Sequence, residues 1–135
     1  MRATSIVIEV REEGDIVRAR RAGRDLASEL GFRSVDQSRI ATAISELARN
    51  ILNYASTGQI QIHPLPQDRG IEIIAQDEGP GIADVTRALQ DGYTSGRGLG
   101  IGLPGTKRLV DEMELDSTLG RGTRVTVRKW LRKSL

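Results

Sequence analysis

The chain has 135 residues, 38% of them hydrophobic and 28% charged, with a net charge of +2 and no cysteine. That length suits one domain around one core, and the missing cysteine excludes disulfides and thiolate metal sites. No run of about 18 apolar residues is present, so no membrane-spanning helix is expected, Met1-Arg2-Ala3-Thr4 leads into alternating residues without an apolar signal region, and the lack of cysteine suits the cytoplasm.

Ser5 to Val10 alternates apolar and polar residues and reads as a strand. From Asp15, the residues Ile16, Ala19, Gly23, Leu26 and Leu30 recur at helical spacing, and Gly31 is a natural stop. Arg18, Arg20, Arg21 and Arg24 read as the solvated face of this helix. Asp36 is the expected cap of a second helix running to about Ala55, with Ile40, Ile44, Leu47 and Ile51 as its apolar stripe. Gly58 turns the chain into a short strand, Gln59 to His63, ended by Pro64 and Pro66. Gly70 opens a second strand, Ile71 to Gln76, expected to be central and to stop at Asp77.

The stretch from Glu78 to Gly102 is rich in glycine and polar residues and predicts at most a short helix near Asp84 to Gln90. Pro104 suits the first turn of a helix through about Glu112. Gly120-Arg121-Gly122 turns into the last strand, Thr123 to Arg128, and the basic residues Arg128, Lys129, Arg132 and Lys133 read as a solubilising tail. The elements predict one α/β domain over residues 1–135, with long helices on one face of a mixed sheet. Only 3% of the residues are aromatic, which leaves little to stack on bases, and no recognition helix or zinc motif appears. Nucleic acid is therefore not an expected partner.

Four segments carry candidate chemistry. On the second helix, Glu46 and Asn50 stand one turn apart at the edge of the buried stripe, and Asn53 lies on the same side. A carboxylate there can take a proton from a hydroxyl or water, and an amide oxygen suits Mg²⁺. The same pair is common as surface decoration. Asp77-Glu78-Gly79-Pro80-Gly81 follows an apolar strand. A carboxylate at a strand end can accept a hydrogen bond from an adenine amine, and the glycines admit the flat base. An ordinary turn would use the same residues.

The third segment is Gly96 to Leu103, in which Gly98, Leu99, Gly100, Ile101 and Gly102 expose successive backbone N–H groups before a helix start. Such a loop suits a triphosphate, with Arg97 and Lys107 as candidate phosphate contacts. Gly100 to Gly105 matches a dinucleotide fingerprint, but no strand precedes it. Gly100 to Lys107 misses a P-loop because Thr106 and Lys107 stand in the wrong order. Thr123, after the Gly120-Arg121-Gly122 turn, is a further candidate.

In chain order, Glu46-x-x-x-Asn50, Asp77-x-Gly79-x-Gly81, Gly98-x-Gly100-x-Gly102 and Gly120-x-Gly122-Thr123 resemble the successive nucleotide-binding boxes of the GHKL ATPases and kinases, over about residues 36 to 130. The resemblance implies a Bergerat ATP-binding fold: an α+β two-layer sandwich, its mixed and mainly antiparallel sheet carrying helices on one face. It gives Glu46 the role of general base and Asn50 that of magnesium ligand. Asp77 corresponds to the adenine-binding aspartate, Gly79 and Gly81 to the glycines of the base pocket, and Thr123 to the threonine of the last box. Residues 82–97 would form a short ATP lid.

Sensor histidine kinases need a phosphoacceptor histidine on a helical segment, whereas the one histidine here, His63, precedes Pro64. Gyrases and the large chaperones carry further domains. Val35 to Asn50, Gly100 to Leu109 and Lys129-Trp130-Leu131 instead look like the small anti-sigma-factor-type serine/threonine kinases of stressosome switches. That likeness implies ATP and Mg²⁺ as cofactors. It implies STAS-domain antagonist and scaffold proteins as substrates, a PPM-type phosphatase as a later partner, and a sigma factor as a further one. The alternatives are a nucleotide-bound docking module and an ATPase without a protein acceptor.

Overall fold

The computed structural model describes residues 3–79, 102–118 and 120–132. The expected short helix at 84–90 and the lid lie outside them. The first strand, β1, covers Ile6–Val10 and leads into α1, Glu13–Leu30. The Asp15 carboxylate closes the start of α1 by accepting the N–H groups of Arg11 at 2.9 Å and Glu12 at 3.2 Å. The bond from Arg11, first among these contacts, holds its pKa below the ordinary carboxylate range. The helix ends at Gly31 in the left-handed conformation, its N–H bonded to Ser28 O at 3.0 Å.

Helix α2 covers Ser34–Tyr54. Arg33, not Asp36, is the flanking residue; Asp36 lies inside the first turn, where its charge suits the positive helix end. There it pairs with Arg39 at 3.2 Å and Lys129 at 3.7 Å. Ile40, Ile44, Leu47 and Ile51 are all at most 2% exposed, so the 4-3-4 stripe is the buried face. Each such side chain contributes about 1.5–3 kcal/mol by leaving water.

Strands β2 (Gly58–Pro64) and β3 (Gly70–Asp77) follow, joined through a single 3-10 turn at Pro66–Asp68. Helix α3 covers Gly102–Leu109. It stops short of Glu112, which instead opens a strand that the sequence reading missed, β4, Glu112–Thr118. Glu112, Glu114 and Asp116 alternate there with Met113 and Leu115, a period of two. The acidic residues have poor strand propensity, which hid the pattern. The last strand, β5, covers Gly122–Trp130.

The sheet order is β1-β2-β3-β5-β4, and all four pairings are antiparallel. The mixed component is thus not found among the described strands. Its absence has a simple cause. Both β3 and β4 run antiparallel to β5, hence parallel to each other, but β5 returns between them and they never pair.

Helices α1 and α2 pack on each other and on one face of β1–β3, and α2 also packs on α3. The register lines up Ile6, Ile62, Ile73, Val127 and Met113 in one row and Ile8, Ile60, Ala75, Val125 and Leu115 in the next, both within or against the core. The opposite face carries Glu9, Gln59, Gln76, Arg124 and Asp116 in one row, and His63, Glu72, Arg128 and Glu112 in another. No described helix covers it. His63 is satisfied there, with Nδ1 2.7 Å from Ser5 Oγ and Nε2 3.0 Å from Gln61 Oε1.

Two of the carboxy-terminal basic residues, Arg128 and Lys129, are not part of a solvated tail, while Arg132 is exposed as expected. Arg128 Nε donates to Glu72 Oε2 at 2.7 Å, a bond that raises the guanidinium pKa. Lys129 is buried beside Asp36, and Arg132 pairs with Asp111 at 3.0 Å; Lys133 lies outside the described residues. Asp111 fastens the end of β5 to the turn before β4. Its N–H donates to Arg128 O at 3.0 Å, and its Oδ2 accepts the Trp130 N–H at 2.8 Å.

Burial pushes the Asp111 pKa up, but the Trp130 and Arg132 bonds outweigh it and hold the group below the ordinary range. A depressed folded-state pKa contributes stability above the unfolded value, lost as pH falls through the folded value. Asp111→Asn is therefore expected to lower stability by about 1 kcal/mol near neutral pH. The deficit should fade below about pH 4. Urea unfolding of both proteins from pH 3 to pH 7 measures it, and a deficit constant with pH would exclude the charge as its source.

Candidate functional site

Three elements meet at one corner of the helix-bearing face. In the register, Asp77 at the end of β3 stands between Gly58 of β2 and Thr123 of β5. Behind this row lies the carboxy-terminal end of α2. A Cβ on Gly79 would fall 2.6 Å from Ala55 Cβ, and one on Gly58 would fall 2.8 Å from Ile51 Cγ2. Only glycine lets the chain leaving β3 pass this close to the helix.

Asp77 is half-buried, and its Oδ1 accepts the Gly79 N–H at 2.9 Å. The turn thereby orients the carboxylate and uses one of its oxygens. The other, Oδ2, takes no bond from a described residue and is left open as an acceptor. Gly122 has φ +108, and a Cβ there would lie 2.2 Å from Asp77 O. Glycine at 122 is thus required both by backbone conformation and by the approach of β3. Thr123 is half-buried, with Oγ1 2.9 Å from Ser117 Oγ, and Ser117 also donates to Gly122 O at 3.0 Å.

On α2, Glu46 is 8% exposed, while Asn50 and Asn53 are half-buried further along the helix. A carboxylate so placed needs a partner, and Arg49 supplies one, its Nη1 2.9 Å from Glu46 Oε1. Helix α3, which starts at Gly102, packs on α2. Thr106 anchors that first turn, its fully buried hydroxyl donating to Gly102 O at 2.9 Å. Lys107 is exposed on α3. Gly81, Arg97, Gly98, Leu99, Gly100 and Ile101 lie outside the described residues.

The structure therefore gathers Asp77, Gly79 and Thr123 round the end of α2, which also carries Glu46, Asn50 and Asn53. Sequence reading missed two participants. Arg49 was signalled by its three-residue spacing from Glu46, the distance at which helical ion pairs form. Ser117 lies on the unrecognised β4 and carried no signal of its own. Among the described residues no group of three His, Asp or Glu side chains is placed to hold a metal ion. An amide such as Asn50 suits an ion that takes most of its ligands from phosphates and water.

The family model described as "Histidine kinase-, DNA gyrase B-, and HSP90-like ATPase" matches residues 35–133. The chain is 53% identical over 127 residues to the serine/threonine-protein kinase RsbT of Bacillus subtilis (strain 168), covering 93% of this chain and 96% of that one. It is 36% identical over 98 residues to the anti-sigma F factor of Caldanaerobacter subterraneus subsp. tengcongensis, covering 68% of each. Among solved structures, the RsbU and RsbW domains of a Mycobacterium tuberculosis protein match with a TM-score of 0.71 at 18% identity. That match covers 98% of this chain and 34% of the other, so it shows the fold alone. With an ATPase-family model matched from the start of α2 to beyond β5, the chain belongs to the histidine kinase-, DNA gyrase B- and HSP90-like ATPase family.

Proposed function

We propose that this protein is an ATP-dependent serine/threonine kinase that phosphorylates STAS-domain partners in a bacterial stress-response switch and, once released, activates a PPM-type phosphatase. The observation that carries the reading is the buried carboxylate of Glu46, one helical turn from Asn50 on the helix whose end packs against Gly79, two residues after Asp77. The 53%-identical relative that bears the name of a serine/threonine kinase supports it. We take the chain to work in the cytoplasm as a single domain.

In this reading Asp77 accepts the adenine amine, Gly79 and Gly81 line the base, and Thr123 stands beside it. Asn53 and Lys107 act with the loop of Arg97, Gly98, Leu99, Gly100, Ile101 and Gly102 on the phosphates. Asn50 would hold Mg²⁺, which when bound neutralises phosphate charge. A serine or threonine hydroxyl of the partner bonds to the γ-phosphorus and gives its proton to Glu46. The bond from that phosphorus to the bridging oxygen breaks, leaving the electron pair on ADP. Positioning and charge neutralisation supply most of the rate.

Radiolabelled ATP incubated with the protein and a purified STAS-domain protein tests the proposal. Label on a serine or threonine of the partner, abolished by EDTA, is expected. Nucleotide binding without a labelled partner would favour a docking module. Arg20, Arg21 and Arg24 favour that second reading: they are exposed on α1 and engaged in no ion pair among the described residues. Steady phosphate release without any partner would favour a simple ATPase.

A further inference from the structure

We infer that Arg49 is a positioning residue for phosphoryl transfer, holding the Glu46 carboxylate toward the acceptor hydroxyl; the inference rests on the kinase reading above. Glu46 sits one turn before Asn50 on α2, with its side chain 10% exposed. Packing fixes the stem of such a side chain, but the terminal carboxylate torsion is broad, so a bond is needed to set which oxygen faces which way. The Arg49 guanidinium engages one oxygen, Oε1, at 2.9 Å. It leaves Oε2 without a bond from any described residue, and a general base needs one unoccupied oxygen within reach of the proton it removes. A planar, permanently charged donor fixes that choice of oxygen in a way that a flexible ammonium does not.

The pair also differs from an ordinary surface ion pair. Arg18–Asp15 and Arg39–Asp36 have the same three-residue spacing, yet their arginines are 65% and 52% exposed and their acids 13% and 32%. In Arg49–Glu46 the arginine is 37% exposed and the acid 10%, so the contact is the more shielded from water on both sides. Arg49 is the one cation paired with Glu46 among the described residues. Its removal leaves the acid in place but unaimed.

A mechanistic cycle tests this, using single-turnover label transfer from radiolabelled ATP and Mg²⁺ to a purified STAS-domain protein. Arg49→Ala is expected to slow transfer about 10- to 100-fold, the range for losing one oriented hydrogen bond at a reacting group, with ATP affinity unchanged. Arg49→Lys should restore part of the rate. In a Glu46→Gln background, Arg49→Ala should add less than about a twofold loss, because residues acting as one unit are not additive. A loss of equal size in both backgrounds, or weakened ATP binding, would make Arg49 a structural or nucleotide-binding residue and overturn the inference. If Glu46→Gln slows transfer but Arg49→Ala does not, the inference alone falls. If Glu46→Gln itself is silent, the assignment of Glu46 as base falls, and this inference with it.

Discussion

Glu46→Gln is expected to slow phosphoryl transfer by roughly 10²–10⁴ while ATP still binds, the range for removing a general base. Glutamine keeps the shape of the side chain and an oxygen for the Arg49 Nη1 donor, now 2.9 Å from Oε1, so α2 and its neighbours should be undisturbed. What it loses is the capacity to take a proton. The buried setting sharpens the contrast: at 8% exposure, bulk water has little access to replace the missing base. Single-turnover transfer paired with calorimetric ATP binding reads both halves of the expectation. Unchanged transfer would remove Glu46 from the chemistry, and lost ATP binding would show it to be a nucleotide contact.

Asp77→Asn should weaken ATP binding by about 10- to 100-fold, the range for losing a hydrogen bond to a charged group in a part-buried site. The amide oxygen of asparagine can still accept the Gly79 N–H that Asp77 Oδ1 accepts at 2.9 Å. The turn, and with it the passage of Gly79 past Ala55, is preserved. The substitution then sets an NH₂ group where Oδ2 stood, opposing the adenine amine with a second donor. A titration with ATP and Mg²⁺ measures the loss, and circular dichroism confirms the fold. Binding that survives in the folded variant would leave the proposed nucleotide site without its base-recognising group.

Much of the architecture was legible in the sequence because its signals were periodic. The Ile40, Ile44, Leu47 and Ile51 stripe named the buried face of α2, and the run from Ile71 named the central strand. Asp77 and Thr123, 46 positions apart in the numbering, were linked in the sequence only by the order of glycine boxes; the register places them opposite each other. What escaped was decided by tertiary context. Strand β4 alternates correctly, but Glu112, Glu114 and Asp116 are residues that strands usually avoid, and they are accommodated because that face has no helical cover. Lys129 read as part of a solvated tail, yet it closes against Asp36 across the fold. The antiparallel order followed from β5 inserting between β3 and β4, a long-range choice that no local pattern encodes.

The acidic row on β4 also bears on solubility. The described sheet ends at β1 on one side and β4 on the other, and a bare edge strand invites pairing with a neighbouring molecule. With Glu112, Glu114 and Asp116 all pointing from β4 to the uncovered face, two such edges brought together would set like charges side by side. The strand that was hardest to recognise is thus a built-in deterrent to aggregation at high concentration.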